Sequence, residues 1–110
     1  MSRQSVFDMP YVKIYGCLAA KAERKGRTRE EVDQVIAWLT GYDHPAGLDM
    51  TYGDFLAKAP AWNPRADLIT GPVCGVRVET IEDPMIKKMR QLDKLVDELA
   101  KGKPLEKVLR

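Results

Sequence analysis

The sequence predicts an all-α protein, a small orthogonal helical bundle of four to six helices forming a single domain over residues 1–110. Three observations predict it. Helix start signals with matching stops recur along the chain, apolar residues follow those starts at intervals of three and four, and no second β-branched run exists to pair with the one stretch that alternates like a strand.

Pro10 opens the first periodic segment. Met9, Val12, Tyr15, Leu18, Ala19 and Ala22 recur at helical spacing until Gly26, so a helix is expected from about Pro10 to Lys25. Thr28 with Glu31 three residues later reads as a capping box, and Glu30 and Glu31 suit the positive end of the helix dipole. Val32, Val35, Ile36 and Leu39 form the apolar stripe of this second helix, and Gly41 stops it. The turn residues Asp43, His44, Pro45 and Gly47 follow. Thr51 with Asp54 opens a short helix carrying Phe55, Leu56 and Ala59, ended by Pro60. Asn63–Pro64 caps a further turn or two that closes at Gly71, and Pro72 is a possible start for another.

From Val73 to Ile81 the pattern is ambiguous. Val76, Arg77, Val78 and Glu79 alternate like a strand, but without a visible partner the segment reads as helix or irregular chain. Asp83 and Pro84 then cap the longest helix, whose Met85, Met89, Leu92, Val96 and Leu99 follow spacings of four, three, four and three. Ile86 and Leu95 widen that stripe, which argues for burial inside one chain over a narrow dimer seam. Lys94 with Glu98 and Asp97 with Lys101 stand four apart on the same helix. Gly102 closes it, and Pro104 begins a last short turn with Leu105, Val108 and Leu109 on one side.

Composition narrows the function classes. With 45% hydrophobic and 31% charged residues the chain is globular, and its longest uncharged stretch, 68–76, is broken by Gly71, Pro72 and Gly75, so no membrane span is expected. Residues 1–10 carry no apolar core of a secretory signal, which points to the cytoplasm. Cys17 and Cys74 are accordingly expected as free thiols, buried and inert. A net charge of +2 is too small to imply a polyanionic partner by itself.

Several blocks carry a resemblance. Lys21-Ala22-Glu23-Arg24-Lys25-Gly26-Arg27-Thr28 with Glu31 to Asp43, then Leu68-Ile69-Thr70-Gly71, Cys74-Gly75-Val76-Arg77-Val78-Glu79, and Leu92 to Lys103 together resemble the bacterial domain-of-unknown-function family 2200. The resemblance implies a small helical bacterial protein and brings no assigned activity with it.

Candidate chemistry is sparse. Lys21, Arg24, Lys25, Arg27 and Arg29 crowd the junction of the first two helices, where free amides at a helix start suit an anion. A helix, a glycine turn and a helix also outline a DNA-binding motif, but Glu30 and Glu31 would then face phosphates, so nucleic acid is the disfavoured partner. Trp38, Tyr42, Asp43, His44 and Arg77 are the candidates for a pocket or interaction surface, and a small enzyme would have to bring His44, Arg77 and a cysteine together. No catalytic triad, phosphate loop or close metal-ligand pair is present, and no cofactor or metal is expected. The reading this supports is a non-enzymatic binding or interaction module, with a protein partner or self-association open.

Overall fold

A computed structural model describes residues 6–73 and 75–109. In these, five α-helices, α1 (Tyr11–Glu23), α2 (Arg29–Thr40), α3 (Tyr52–Ala57), α4 (Pro84–Ala100) and α5 (Leu105–Val108), are joined by three 3-10 turns, Val6–Asp8, Pro64–Leu68 and Val78–Thr80. The all-α expectation stands, with one small addition, a two-stranded hairpin of β1 (Pro72–Val73) and β2 (Val76–Arg77).

Local chemistry sets most of the ends. Thr28 accepts from the Glu31 amide at 3.2 Å while the Glu31 carboxylate accepts from the Thr28 amide at 3.1 Å, which is the reciprocal box. At Thr51 only half of a box forms, with its hydroxyl accepting from the Asp54 amide, and α3 stops at Ala57, before Ala59 is reached. Asn63 accepts from the Arg65 amide and Asp83 from those of Met85 and Ile86. Gly41 ends α2 at φ +85, and the chain after α3 packs tightly there, with Ala61 and Asn63 amides donating to the Thr40 and Leu39 carbonyls.

The segment after Gly71 corrects the sequence reading. Pro72 starts a strand, not a helix, and the partner for Val76–Arg77 is Pro72–Val73 immediately before it, in antiparallel register Pro72↔Arg77 and Val73↔Val76. So short a ladder needs no second β-branched run, because α4 supplies its buried face: Val73 and Val78 are buried and the Lys94 ammonium donates to the Pro72 carbonyl at 3.1 Å.

Helix α4 is the hub. It packs on α1, α2, α3, α5 and the hairpin, burying Leu92, Leu95, Val96 and Leu99, while Ile86 from the expected stripe stays exposed. On α1 the buried row is Tyr11, Tyr15, Leu18, Ala19 and Ala22, so Tyr11 takes the place expected for Val12, which is 45% exposed. The steps Tyr11, Tyr15, Leu18, Ala22 keep one face, and Val12 lies a further 100° round the helix. Cys17 falls off that row as well, so it is an exposed free thiol where a buried one was expected. Cys74 lies outside the described residues. An antiparallel bridge between Pro10 and Thr51 places the starts of α1 and α3 side by side, with the Tyr11 amide donating to the Met50 carbonyl and the Tyr52 amide to that of Met9. Around this bridge Phe7, Tyr11, Tyr15, Tyr42, Tyr52 and Phe55, all the phenylalanines and tyrosines of the chain, join in one chain of ring contacts.

Candidate functional site

The bridge that seats α3 against α1 also leaves a cavity between α1, α3 and α4. It has a volume of about 330 Å³ and is lined by Val6, Ile14, Cys17, Leu18, Tyr52, Met89, Arg90 and Asp93. Ile14, Cys17 and Leu18 fall three and four apart on α1, and Met89 and Asp93 four apart on α4, so each helix turns one short face toward the space. Val6 comes from the first 3-10 turn, which lies so close on α3 that a Cβ at Gly53 would stand 3.0 Å from the Phe7 carbonyl oxygen.

Its walls are mainly apolar, and the polar groups are few and under strain. Tyr52 is 1% exposed, and its hydroxyl is one of two buried side-chain polar atoms without a hydrogen-bond partner among the described residues. A buried hydroxyl left unpaired costs about 1–3 kcal/mol, so natural cores seldom keep one. Burial pushes the Tyr52 phenol well above its ordinary range, and the nearby Asp93 charge pushes it further. The Arg90 charge opposes that push, and Tyr52, Arg90 and Asp93 are all among the residues that line the cavity. Burial also raises the Asp93 carboxyl, although the Arg90 Nη1 donates to its Oδ2 at 3.2 Å. Cys17, an exposed free cysteine, lines the same cavity.

A second depression, of about 390 Å³, is lined by Asp33, Gln34, Ala37, Asp43, His44, Pro45 and Ala46. Asp43 and His44 are exposed there. Asp33 is already engaged, accepting from the Tyr15 hydroxyl at 2.6 Å, and this Tyr15 is pushed to about 12, by burial first and by Asp33 next. The groove is larger than the first cavity, but none of its polar groups is both buried and unpaired, so it has less call for a ligand.

These geometries sit on a fold already seen. The crystal structure of the uncharacterized protein SP1917 superposes on this chain with a TM-score of 0.90, at 47% identity, covering 98% of this chain and 93% of that one. The family model described as "Uncharacterized protein conserved in bacteria (DUF2200)" matches residues 5–110. The chain belongs to the DUF2200 family. No curated protein matches it, and neither the family description nor SP1917 brings an activity to this DUF2200 protein.

The residues singled out in the DUF2200 sequence go to separate places. Of the basic corner, Lys21 pairs with Asp97 at 3.2 Å, and Arg29 with Glu23 at 3.4 Å. Arg27 acts as a clamp: its Nη1 donates to the Leu99 and Lys103 carbonyls at the end of α4, and its Nη2 to Glu31 at 2.6 Å. Held by Arg27 first and the Thr28 amide next, the Glu31 carboxyl falls to about 2 and fills the anion position at the start of α2. Arg24 and Lys25 remain exposed, with no ion pair among the described residues. Trp38 is half-buried against the core, and Tyr42 closes on it by donating to the Phe55 carbonyl at 2.9 Å. Arg77 is on the hairpin, paired with Glu79 at 2.8 Å. His44, Arg77 and Cys17 therefore line no common cavity among the described residues, as a shared catalytic site would require. Tyr52, Arg90 and Asp93 escaped the sequence reading. Only Asp93 left a trace, as a carboxylate continuing the Met85–Met89 row at the next step of four.

Proposed function

We propose that this protein is a non-enzymatic binding module for a small, mostly apolar molecule carrying one carbonyl-type head group, held between α1, α3 and α4. The observation that carries this reading is a mainly apolar cavity lined by Tyr52, Asp93 and Arg90, of which Tyr52 keeps a buried hydroxyl without a partner among the described residues. Such a pocket, with few convergent polar groups and shifted titrations, is the usual form of a ligand site. A carbonyl oxygen would accept from Tyr52, and a neighbouring N–H would suit Asp93, of which only Oδ2 accepts a side-chain hydrogen bond among the described residues, from Arg90. At about 330 Å³ the space is roughly twice an apolar cavity known to take benzene, so a single ring with a head group is the fitting size. Because the phenol oxygen is shut off from solvent, a ligand must part the side chains over it, and the flexible thioether of Met89 is the neighbour suited to move. An exposed thiol at Cys17 fits a reducing compartment, which supports a cytoplasmic location.

Amide-resolved NMR titration with cyclohexanone and with benzamide tests the reading. Saturable shifts at Cys17, Tyr52 and Asp93, weakened in Tyr52→Phe, are expected. Absence of saturable shifts, or shifts centred on His44 and Asp33 instead, would overturn it.

A further inference from the structure

Beyond the cavity, α1 and α4 meet again at their far ends. Ile14, Cys17 and Leu18 of α1 line the cavity together with Met89, Arg90 and Asp93 of α4, and one turn further along both helices Lys21 meets Asp97 at 3.2 Å. The two helices therefore run in the same direction and end together. Arg27 closes that end, because its Nη1 donates to the Leu99 and Lys103 carbonyls and so holds the turn after α1 against the last turn of α4. Cations from two distant stretches of the chain meet there. Lys21 and Lys101 share the one carboxylate of Asp97, at 3.2 and 3.1 Å, and Lys94 and Lys103 share that of Glu98, at 4.0 and 3.5 Å, so each pair keeps a positive charge that its acid does not cancel. Arg24 and Lys25 are exposed and have no ion pair among the described residues, while Glu23 and Glu31 are taken by Arg29 and Arg27. Glu30, exposed at the start of α2, offsets at most one of these four surplus charges.

Helix stability does not require this surplus. Cations at a helix C-terminus ordinarily balance the negative end of its dipole, but the last carbonyls of α4 already have the Arg27 guanidinium, and those of α1 the amides of Arg24 to Arg27. Like charges held on one surface repel one another, and an anion relieves them. We propose that this joint end of α1 and α4, through Lys21, Arg24, Lys25, Lys101 and Lys103, is a docking surface for the phosphate backbone of duplex nucleic acid, without reading of its sequence. The composition of the surface selects that partner. No aromatic ring lies in 21–27 or 101–107, so the bases of a single strand have nothing to stack on. None of the large apolar side chains exposed among the described residues, Val6, Val12, Leu68, Val76 and Ile86, lies there either, so the surface lacks both the apolar centre of a protein interface and the apolar face that enters a lipid bilayer. Lysines and arginines alone suit phosphates, whose contacts position a protein and carry no sequence information. Glu31, which would face the phosphates if α2 were a recognition helix, is turned onto Arg27 and the Thr28 amide. The ends of α1 and α4 form the surface, not the start of α2.

This surface stands apart from the cavity and does not depend on a ligand there. Fluorescence anisotropy with two labelled duplexes of about 20 base pairs and unrelated sequence, read from about 20 to 200 mM salt, tests it. Equal affinity for the two duplexes is expected, with a log–log salt slope of about −3.5 for about four neutralised phosphates. Arg24→Glu with Lys25→Glu, both in the exposed turn, should weaken binding at least about tenfold at about 50 mM salt and flatten the slope by about 2, and Lys101→Gln on the other helix should flatten it by about 1. Lys13→Glu with Lys58→Glu, which changes the net charge by the same amount elsewhere on the exposed surface, should leave affinity within about twofold. Absence of binding to either duplex at the lowest salt, a preference for one of the two sequences, equal weakening by the two double variants, or tighter binding to phosphatidylglycerol vesicles than to duplex would each overturn the duplex surface.

Discussion

Four tyrosines in one aromatic cluster offer an internal experiment on what their hydroxyls do. Replacement of each by phenylalanine keeps the rings of Tyr11, Tyr15, Tyr42 and Tyr52 in their contacts, including the 4.0 Å stack of Tyr11 on Phe55, and removes one oxygen. The hydroxyls of Tyr11 and Tyr52 are buried without a partner, whereas Tyr15 donates to Asp33 at 2.6 Å and Tyr42 to the Phe55 carbonyl at 2.9 Å. An unpaired buried hydroxyl costs about 1–3 kcal/mol, part of which is returned as a small void when the oxygen goes. Tyr11→Phe and Tyr52→Phe should therefore gain about 1 kcal/mol each, or roughly 4 °C in melting temperature for a chain of this size. Tyr42→Phe should lose about 1 kcal/mol, and Tyr15→Phe about 1.5–2, because its acceptor is charged and partly solvated. Urea unfolding followed by the fluorescence of Trp38 and Trp62, which none of the changes alters, reads the midpoints at constant slope. If Tyr52→Phe is destabilised as much as Tyr42→Phe, the Tyr52 hydroxyl has a partner in solution and is no unpaired donor.

Gly41 and Gly26 share φ +85, but a Cβ at Gly41 would stand 2.8 Å from the Ala61 amide nitrogen whereas one at Gly26 meets open space. Gly26→Ala should cost about 1–2 kcal/mol from backbone strain, and Gly41→Ala about 1–3 kcal/mol more from the clash, compared by thermal melting. Removal of the Arg27 clamp in Arg27→Met should cost about 2 kcal/mol and loosen α5, read by faster amide exchange at Lys103 and Val108. Glu31, depressed to about 2 from an ordinary 4.5, favours folding above 4.5, and that contribution is lost as pH falls toward 2; in Arg27→Met the acid-side slope over this window should flatten. Asp93 behaves oppositely. Its carboxyl is raised above 3.8, so its contribution is most favourable below 3.8 and turns unfavourable as pH rises through the folded value. Asp93→Asn should thus be more stable than wild type at neutral pH, with the advantage shrinking in acid, while benzamide binding weakens; equal stability at every pH would refute the buried-carboxylate account.

Helices were legible in the sequence wherever a local group sets an end. Thr28 with Glu31, Asn63, and Asp83 with Pro84 each satisfy backbone donors within three residues, so their effect needs no distant neighbour. Family membership was legible too, since the resembling blocks, lying between Lys21 and Lys103, fall inside the residues 5–110 that the family model covers. Tertiary contact decided the rest. Which face of α1 is buried depended on the bridge between Pro10 and Thr51, which brings Tyr11 rather than Val12 inward. The hairpin at Pro72 formed because α4 covers it, and Arg27, a surface cation by its type, became a clamp because the end of α4 offers it carbonyls 72 and 76 residues away in the chain. The cavity followed the same logic: Cys17, Tyr52 and Asp93 belong to three helices whose spacing along the chain carries no trace of their meeting. Short-range hydrogen bonds fix secondary structure within a turn, and a binding site exists only once those turns are packed against one another.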